Sequence, residues 1–283
     1  MALIVSKDKY GMSHQEKGGT DLTPPVVDTS GDQPLSTKSP VCKESRCVEL
    51  DYEILGKNHC VCFSSDAPEL TYYKLLRTQI MQRCKSNGWN TIMITSALPG
   101  EGKTLTAINL AATFAKAYGQ TAILIDADLQ RQSVHQYLGI SSNVGLADYL
   151  RNDVALKDII IWLGREELNI ISGGNALLDS AELISSPKMA ELVADMKTRF
   201  ADRYIFFDLP PLLVEPDALA FAPLVDCIIM VTRPKTSFNA LQKSLEMIPE
   251  EKFLGFVLNG AEPSNDDYYR LSYRYGYGYG YKK

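Results

Sequence analysis

Polar and apolar positions divide the chain into three stretches. Residues 1–65 are rich in Ser, Thr, Pro, Gly, Asp and Lys, with no sustained period of two or of 3.6. That pattern predicts a mostly disordered arm. Leu70, Tyr73, Leu76, Ile80 and Met81 then recur at near-helical spacing. They predict a helix that begins near Asp66 and stops at Gly88. From Thr91 onward, short apolar runs alternate with helical stretches. Strands are predicted at 91–95, 121–125, 168–172, 204–207, 226–231 and 254–258. Helices are predicted at 103–118, 133–138, 145–151, 188–200, 217–222 and 237–248. Strands this apolar, separated by helices, predict an α/β fold with a mostly parallel sheet covered on both faces. Ligand-binding loops then belong at the carboxyl ends of the strands. This domain is expected over 66–264. Residues 265–283 form a separate low-complexity tail in which Gly and Tyr alternate, and which builds no core of its own.

Composition narrows the partners. The 283 residues suit one sizeable α/β domain with additional material, and 45% hydrophobic residues are enough for a core. A net charge of -5 gives no reason to expect nucleic acid as the main partner. No apolar run reaches the ~18 residues of a membrane-spanning helix. The first seven residues lack the basic lead-in of a secretory signal. The expectation is a cytoplasmic protein docked on a membrane partner. Cys42, Cys47, Cys60 and Cys62 lie near His59, but gaps of four residues and one residue match zinc pairs poorly. Incidental reduced thiols are the expected reading.

The strongest chemical signal is Ala97-Leu-Pro-Gly-Glu-Gly-Lys-Thr104, lying between a predicted strand and a predicted helix. Gly100 and Gly102 let the backbone curl so that successive N–H groups face phosphate oxygens. The helix N-terminus adds partial positive charge. Lys103 is placed to reach the β- and γ-phosphates of ATP, and the Thr104 hydroxyl to ligate Mg2+. Pro99, Gly100, Glu101, Gly102, Lys103, Thr104 and Leu105 are the expected nucleotide-binding residues.

Two further strands end in acids. Asp126 and Asp128 are two residues apart, so in extended backbone they point the same way. Beside a phosphate loop they suit Mg2+ coordination and general-base work on an incoming hydroxyl. A turn with helix-capping aspartates is the plainer alternative. Tyr204-Ile-Phe-Phe-Asp208-Leu-Pro-Pro211 places Asp208 in a second metal-holding position, with two prolines ending the strand. Asn259 at a strand end could touch an adenine base. Residues 233–236 could border the nucleotide or form a solvated turn. His135 reads as a packing or capping residue.

In this order, the three motifs resemble the bacterial protein-tyrosine kinases of capsule and exopolysaccharide synthesis, from about Leu70 to the C-terminus. Ile125-Asp-Ala-Asp-Leu129, Glu182-Leu-Ile-Ser-Ser186, Asp217-Ala218 and Gly255-Phe-Val-Leu-Asn259 also look like that family. The tyrosine cluster of the tail is the most specific likeness: Tyr268, Tyr269, Tyr273, Tyr275, Tyr277, Tyr279 and Tyr281. The resemblance implies several things. The chain would be an ATP- and Mg2+-dependent autokinase that phosphorylates those tyrosines between subunits of a homo-oligomeric ring. Lys103, Asp126 and Asp128 would be catalytic, with Asp126 as base or metal ligand. Thr104, Asp126, Asp128 and Asp208 would surround the metal. A membrane-spanning activator and chain-length regulator would recruit the protein to the inner face of the membrane. The sequence departs from the pattern at Gln130, where Arg is usual, and at Leu209, where a hydroxyl residue is usual. It departs again at Thr71, Lys74 and Arg77, in the frame of the family's oligomerisation helix. The neighbouring MinD/ParA-type ATPases carry an early lysine in the phosphate loop, where this chain has Ala97, Leu98 and Pro99. A nucleotide switch without kinase activity is the alternative function.

Overall fold

In the computed structural model, the described residues are 4–5, 46–152, 154–163, 167–177, 180–199 and 203–261. The tyrosine-rich tail lies outside them, as does most of the N-terminal arm. The chain forms β1 (Ile4–Val5), β2 (Arg46–Cys47), α1 (Tyr52–Lys57), α2 (Leu70–Asn87), β3 (Thr91–Ser96), α3 (Lys103–Ala115), β4 (Thr121–Asp126), α4 (Val134–Leu138), α5 (Leu146–Arg151), α6 (Leu156–Ile159), β5 (Ile160–Trp162), β6 (Leu168–Ile171), α7 (Ala181–Ile184), α8 (Pro187–Arg199), β7 (Arg203–Asp208), α9 (Asp217–Phe221), β8 (Cys227–Thr232), α10 (Phe238–Glu246) and β9 (Phe253–Leu258).

The strands make one sheet in the order β1-β9-β8-β3-β7-β4-β6-β5-β2. All neighbours are parallel except β1 with β9 and β5 with β6. The central strands are apolar throughout because both faces are covered, and their side chains alternate between two cores. Ile92, Ile94, Leu124, Phe206 and Ile229 enter one core beneath α2, α3 and α4. Met93, Ile123, Ile125, Ile205, Phe207 and Ile228 enter the other with residues of α5, α8 and α9. The α3 helix is buried on nearly every side, which explains its run of Ala, Ile and Leu. Its Phe114 meets Tyr204 and Phe206 edge-on, at ring centroid distances of 4.8 and 5.0 Å.

The arm expected over 1–65 is structured from Arg46 onward, so residues 46–65 belong with the domain. Asp51 caps α1 by accepting the Glu53 and Ile54 amides. Leu55, Cys60, Cys62 and Phe63 are buried in the same core as α2 and α3. Asn109 of α3 accepts the Cys62 amide at 2.9 Å and donates to the His59 carbonyl at 3.1 Å. Lys116 donates to the Cys62 carbonyl at 2.7 Å. This segment has no period of its own because its buried residues fill gaps left by helices far away in sequence. Cys60 and Cys62 are free thiols, and burial pushes the Cys60 thiol up to about 12. Both pack in the core.

Candidate active site

The site gathers at the carboxyl ends of β3, β4 and β7. Thr95 and Ser96 close β3, and the chain curls through Gly100 and Gly102, at φ +78 and +89. Only glycine enters this left-handed region at little cost. A side chain at Gly102 is also blocked, because a Cβ there would lie 2.0 Å from Asn259 Nδ2. Glu101 holds the curl. Its buried carboxylate accepts the Leu98 amide at 2.8 Å and the Thr236 hydroxyl, and its carbonyl accepts Asn259 Nδ2 at 3.0 Å. Residues 233–236 therefore border the loop, and Asn259 braces it. From β7, the Leu212 amide donates to the Ser96 carbonyl, and Thr95 Oγ1 donates to the Pro210 carbonyl. The Asp208-Leu-Pro-Pro211 turn thus fixes the loop's entry.

Asp126 and Asp208 are register partners at the ends of adjacent parallel strands. Lys103, the first residue of α3, extends its ammonium to Asp128 Oδ2 at 2.8 Å and Asp208 Oδ1 at 3.4 Å. Thr104 Oγ1 donates to Asp208 Oδ2 at 2.6 Å and accepts the Ser133 hydroxyl at 3.2 Å. Asp126 Oδ2 accepts the Ser133 and Val134 amides, both at 3.1 Å, while its Oδ1 is buried with no hydrogen-bond partner. Asp128 Oδ1 accepts the Arg131 amide at 3.0 Å. Burial, together with nearby Asp208, raises the Asp126 carboxyl to about 8, against the pull of Lys103. Burial also raises Asp208, opposed by Lys103 and Thr104. Lys103 is pushed down by burial but pulled up more strongly by Asp208, Asp128 and Asp126, so it stays charged.

Lys103, Thr104, Asp126, Asp128 and Asp208 therefore meet as expected. Gly100, Glu101 and Gly102 shape the loop beside them, and Pro99 lies on its exposed crest. Leu105 faces the other way, packing its side chain against the α2–α3 core. Ser133 joins the cluster without an expected role, as does the Glu101–Thr236–Asn259 brace. Gln130 turns toward Glu215 and Ser180. Leu209 is wholly buried, so this departure fills core. On α2, Arg77 donates to the Thr113 carbonyl while Thr71 and Lys74 are exposed.

The donor set suits Mg2+. Among the described residues, no three His, Cys, Asp or Glu side chains form a ready cage. Mg2+ keeps water and substrate phosphate in its shell and takes only one or two protein oxygens. The Thr104 hydroxyl and the Asp208 carboxylate offer such oxygens, leaving Asp126 Oδ1 open.

A strand, a glycine-bent loop opening a buried helix and acids ending the flanking strands define a P-loop NTPase, a nucleotide-binding fold. The chain matches the ParA family, described as NUBPL iron-transfer P-loop NTPase, over residues 88–270. It is 32% identical over 200 residues to the tyrosine-protein kinase YwqD of Bacillus subtilis, covering 70% of this chain and 83% of that protein. It is 28% identical to the putative tyrosine-protein kinase EpsB of Ralstonia nicotianae over 74% of this chain, spanning only 27% of that longer relative. The crystal structure of the chimerical protein CapA2B2 aligns with a TM-score of 0.66 at 25% identity, over 77% of this chain and 94% of that one. The chain belongs to the bacterial tyrosine-protein kinase family, within the ParA-type P-loop NTPases.

Proposed function

We propose that the protein is an ATP-dependent protein-tyrosine autokinase that modifies its own C-terminal tyrosines. The observation that carries this reading is the convergence of Lys103, Thr104 and three strand-end aspartates on one buried point, in a chain with seven tyrosines in its last 16 residues. The curled loop amides and the α3 N-terminus cradle the phosphates. Lys103 exchanges its carboxylate partners for β- and γ-phosphate oxygens. Thr104 and Asp208, with Asp128 beside them, would hold Mg2+, which would offset charge on the phosphates. The tyrosine oxygen attacks the γ-phosphorus, the bond to the β–γ bridging oxygen breaks, and ADP leaves. The phenolic proton passes to Asp126 through its open Oδ1.

A relative named as a succinoglycan biosynthesis transport protein, ExoP of Rhizobium meliloti, supports a role in polysaccharide synthesis and export. Among the described residues, no helix is long and apolar enough to cross a membrane. By its likeness to this kinase family, we assign recruitment to the inner membrane face to a membrane-spanning activator, with assembly as a homo-oligomer. The ParA-family match and the departures at Gln130 and Leu209 favour a second reading, a nucleotide switch without kinase activity. Following ADP release and phosphotyrosine together in one ATP-Mg reaction separates the two. Phosphotyrosine on the tail supports the kinase. Sustained hydrolysis with none, activator included, supports the switch.

A further inference from the structure

Beside the site is an acidic group that the phosphotransfer scheme does not use. Gln130 Nε2 donates to Glu215 Oε2 at 2.7 Å and to Ser180 Oγ at 3.3 Å. Ser180 donates onward to Asp217 Oδ2. Asp217 is 1% exposed, and its other oxygen, Oδ1, has no hydrogen-bond partner. Among the described residues, neither Glu215 nor Asp217 forms an ion pair. Burial raises the Asp217 carboxyl despite the Ser180 hydrogen bond, and Glu215 and Asp128 add to the effect. Gln130 supplies hydrogen bonds but no charge. The group lies two residues from the Asp128 that pairs with Lys103, and among the described residues no cation pairs with it.

The complementary chemistry is in the chain's own tail. Tyr269 and Tyr273 are each followed directly by an arginine, Arg270 and Arg274, while Tyr275, Tyr277 and Tyr279 are each followed by glycine. A guanidinium presents parallel N–H donors that match carboxylates, and stays charged in partly buried sites. The tail also starts at the correct end of the sheet. Asn259, just past β9, is bonded to the phosphate loop, and at ~3.3 Å per residue the chain after Ala261 can carry Arg270 roughly 30 Å and Arg274 roughly 43 Å.

We infer that Glu215 and Asp217 form a subsite for the arginine that follows an acceptor tyrosine, making Tyr269 and Tyr273 the preferred acceptors. This deepens the kinase reading and rests on it. The contact is read first without chemistry. Labelled peptides of residues 265–283, native or with R270Q/R274Q, are bound to the full-length chain without ATP. The native peptide binds about fivefold more tightly at low salt, the advantage shrinks as salt rises, and Glu215→Gln with Asp217→Asn removes it. Equal affinity of the two peptides for the native chain overturns the subsite, as does a preference that survives both acid substitutions. With ATP-Mg added, the native chain phosphorylates Tyr269 and Tyr273 ahead of Tyr275–Tyr281, and R270Q/R274Q in the full chain removes that order. If the native peptide is preferred but phosphotyrosine never forms, the subsite stands as a docking site and the kinase reading falls.

Discussion

Asp126 and Asp208 stand side by side as register partners on β4 and β7, and the Lys103 ammonium is the cation that faces them. Two buried carboxylates at that spacing depend on the lysine. Lys103→Met should therefore do more than abolish nucleotide turnover. Unpairing buried charges typically costs about 3–5 kcal/mol, lessened here if the carboxylates take up protons. We expect a clear fall in melting temperature alongside a loss of ATP turnover of at least ~100-fold. Thermal melts of the variant, with and without ATP-Mg, check both. An unchanged melting temperature would contradict the buried pairing.

Gly102 and Asn259 yield a prediction about shape. Gly102→Ala combines a φ of +89 with a Cβ 2.0 Å from Asn259 Nδ2. The loop must distort, and ATP affinity should fall at least tenfold. Asn259→Ala removes the obstruction and the brace together. It should weaken binding less than Gly102→Ala, and the double variant should bind better than Gly102→Ala alone. Nucleotide titrations of the three proteins measure this coupling.

The start of β8 carries a pH dependence. Asp226 accepts the Asn90 and Thr91 amides and the Thr91 hydroxyl, and pairs with Lys197. Burial alone would raise its carboxyl, but Lys197 and these hydrogen bonds outweigh it and hold the carboxyl below its usual value. A depressed folded-state pKa contributes stability that is complete above the unfolded value, about 3.9, and is lost as pH falls through the folded one. Asp226→Asn should cost about 1–3 kcal/mol at neutral pH and flatten the acid-unfolding slope below about pH 4. Urea melts from pH 7 to pH 3 check it.

Leu55 tests the ordering of residues 46–63. It is 2% exposed and packs in the core with α2 and α3. Leu55→Ala should cost about 2–5 kcal/mol. A disordered segment would show almost none, so one denaturation curve decides.

Physical reasons separate what was legible in the sequence from what was not. The six strands β3, β4, β6, β7, β8 and β9 could be read because a strand covered on both faces needs a largely apolar run. Asp126, Asp128 and Asp208 could be read because they follow such runs directly. Residues 46–63 could not, since Leu55, Cys62 and Phe63 acquire their burial from helices distant in sequence. The three-residue β5 is too short to show a period. Ser133 reaches Asp126 and Thr104 only because α4 begins against β4, and the Glu101–Thr236–Asn259 brace joins loops that meet only in the folded sheet. Local pattern specified the acids and the glycines, and tertiary packing specified what braces them.

The account stands most directly on phosphotyrosine mapping of the purified full-length chain after incubation with ATP-Mg and its activator, native and Lys103→Met in parallel. It predicts phosphate on the tail tyrosines 268–281 of the native protein and none on the variant. An unmodified tail on a native protein that still hydrolyses ATP, or a tail equally modified in Lys103→Met, would contradict it.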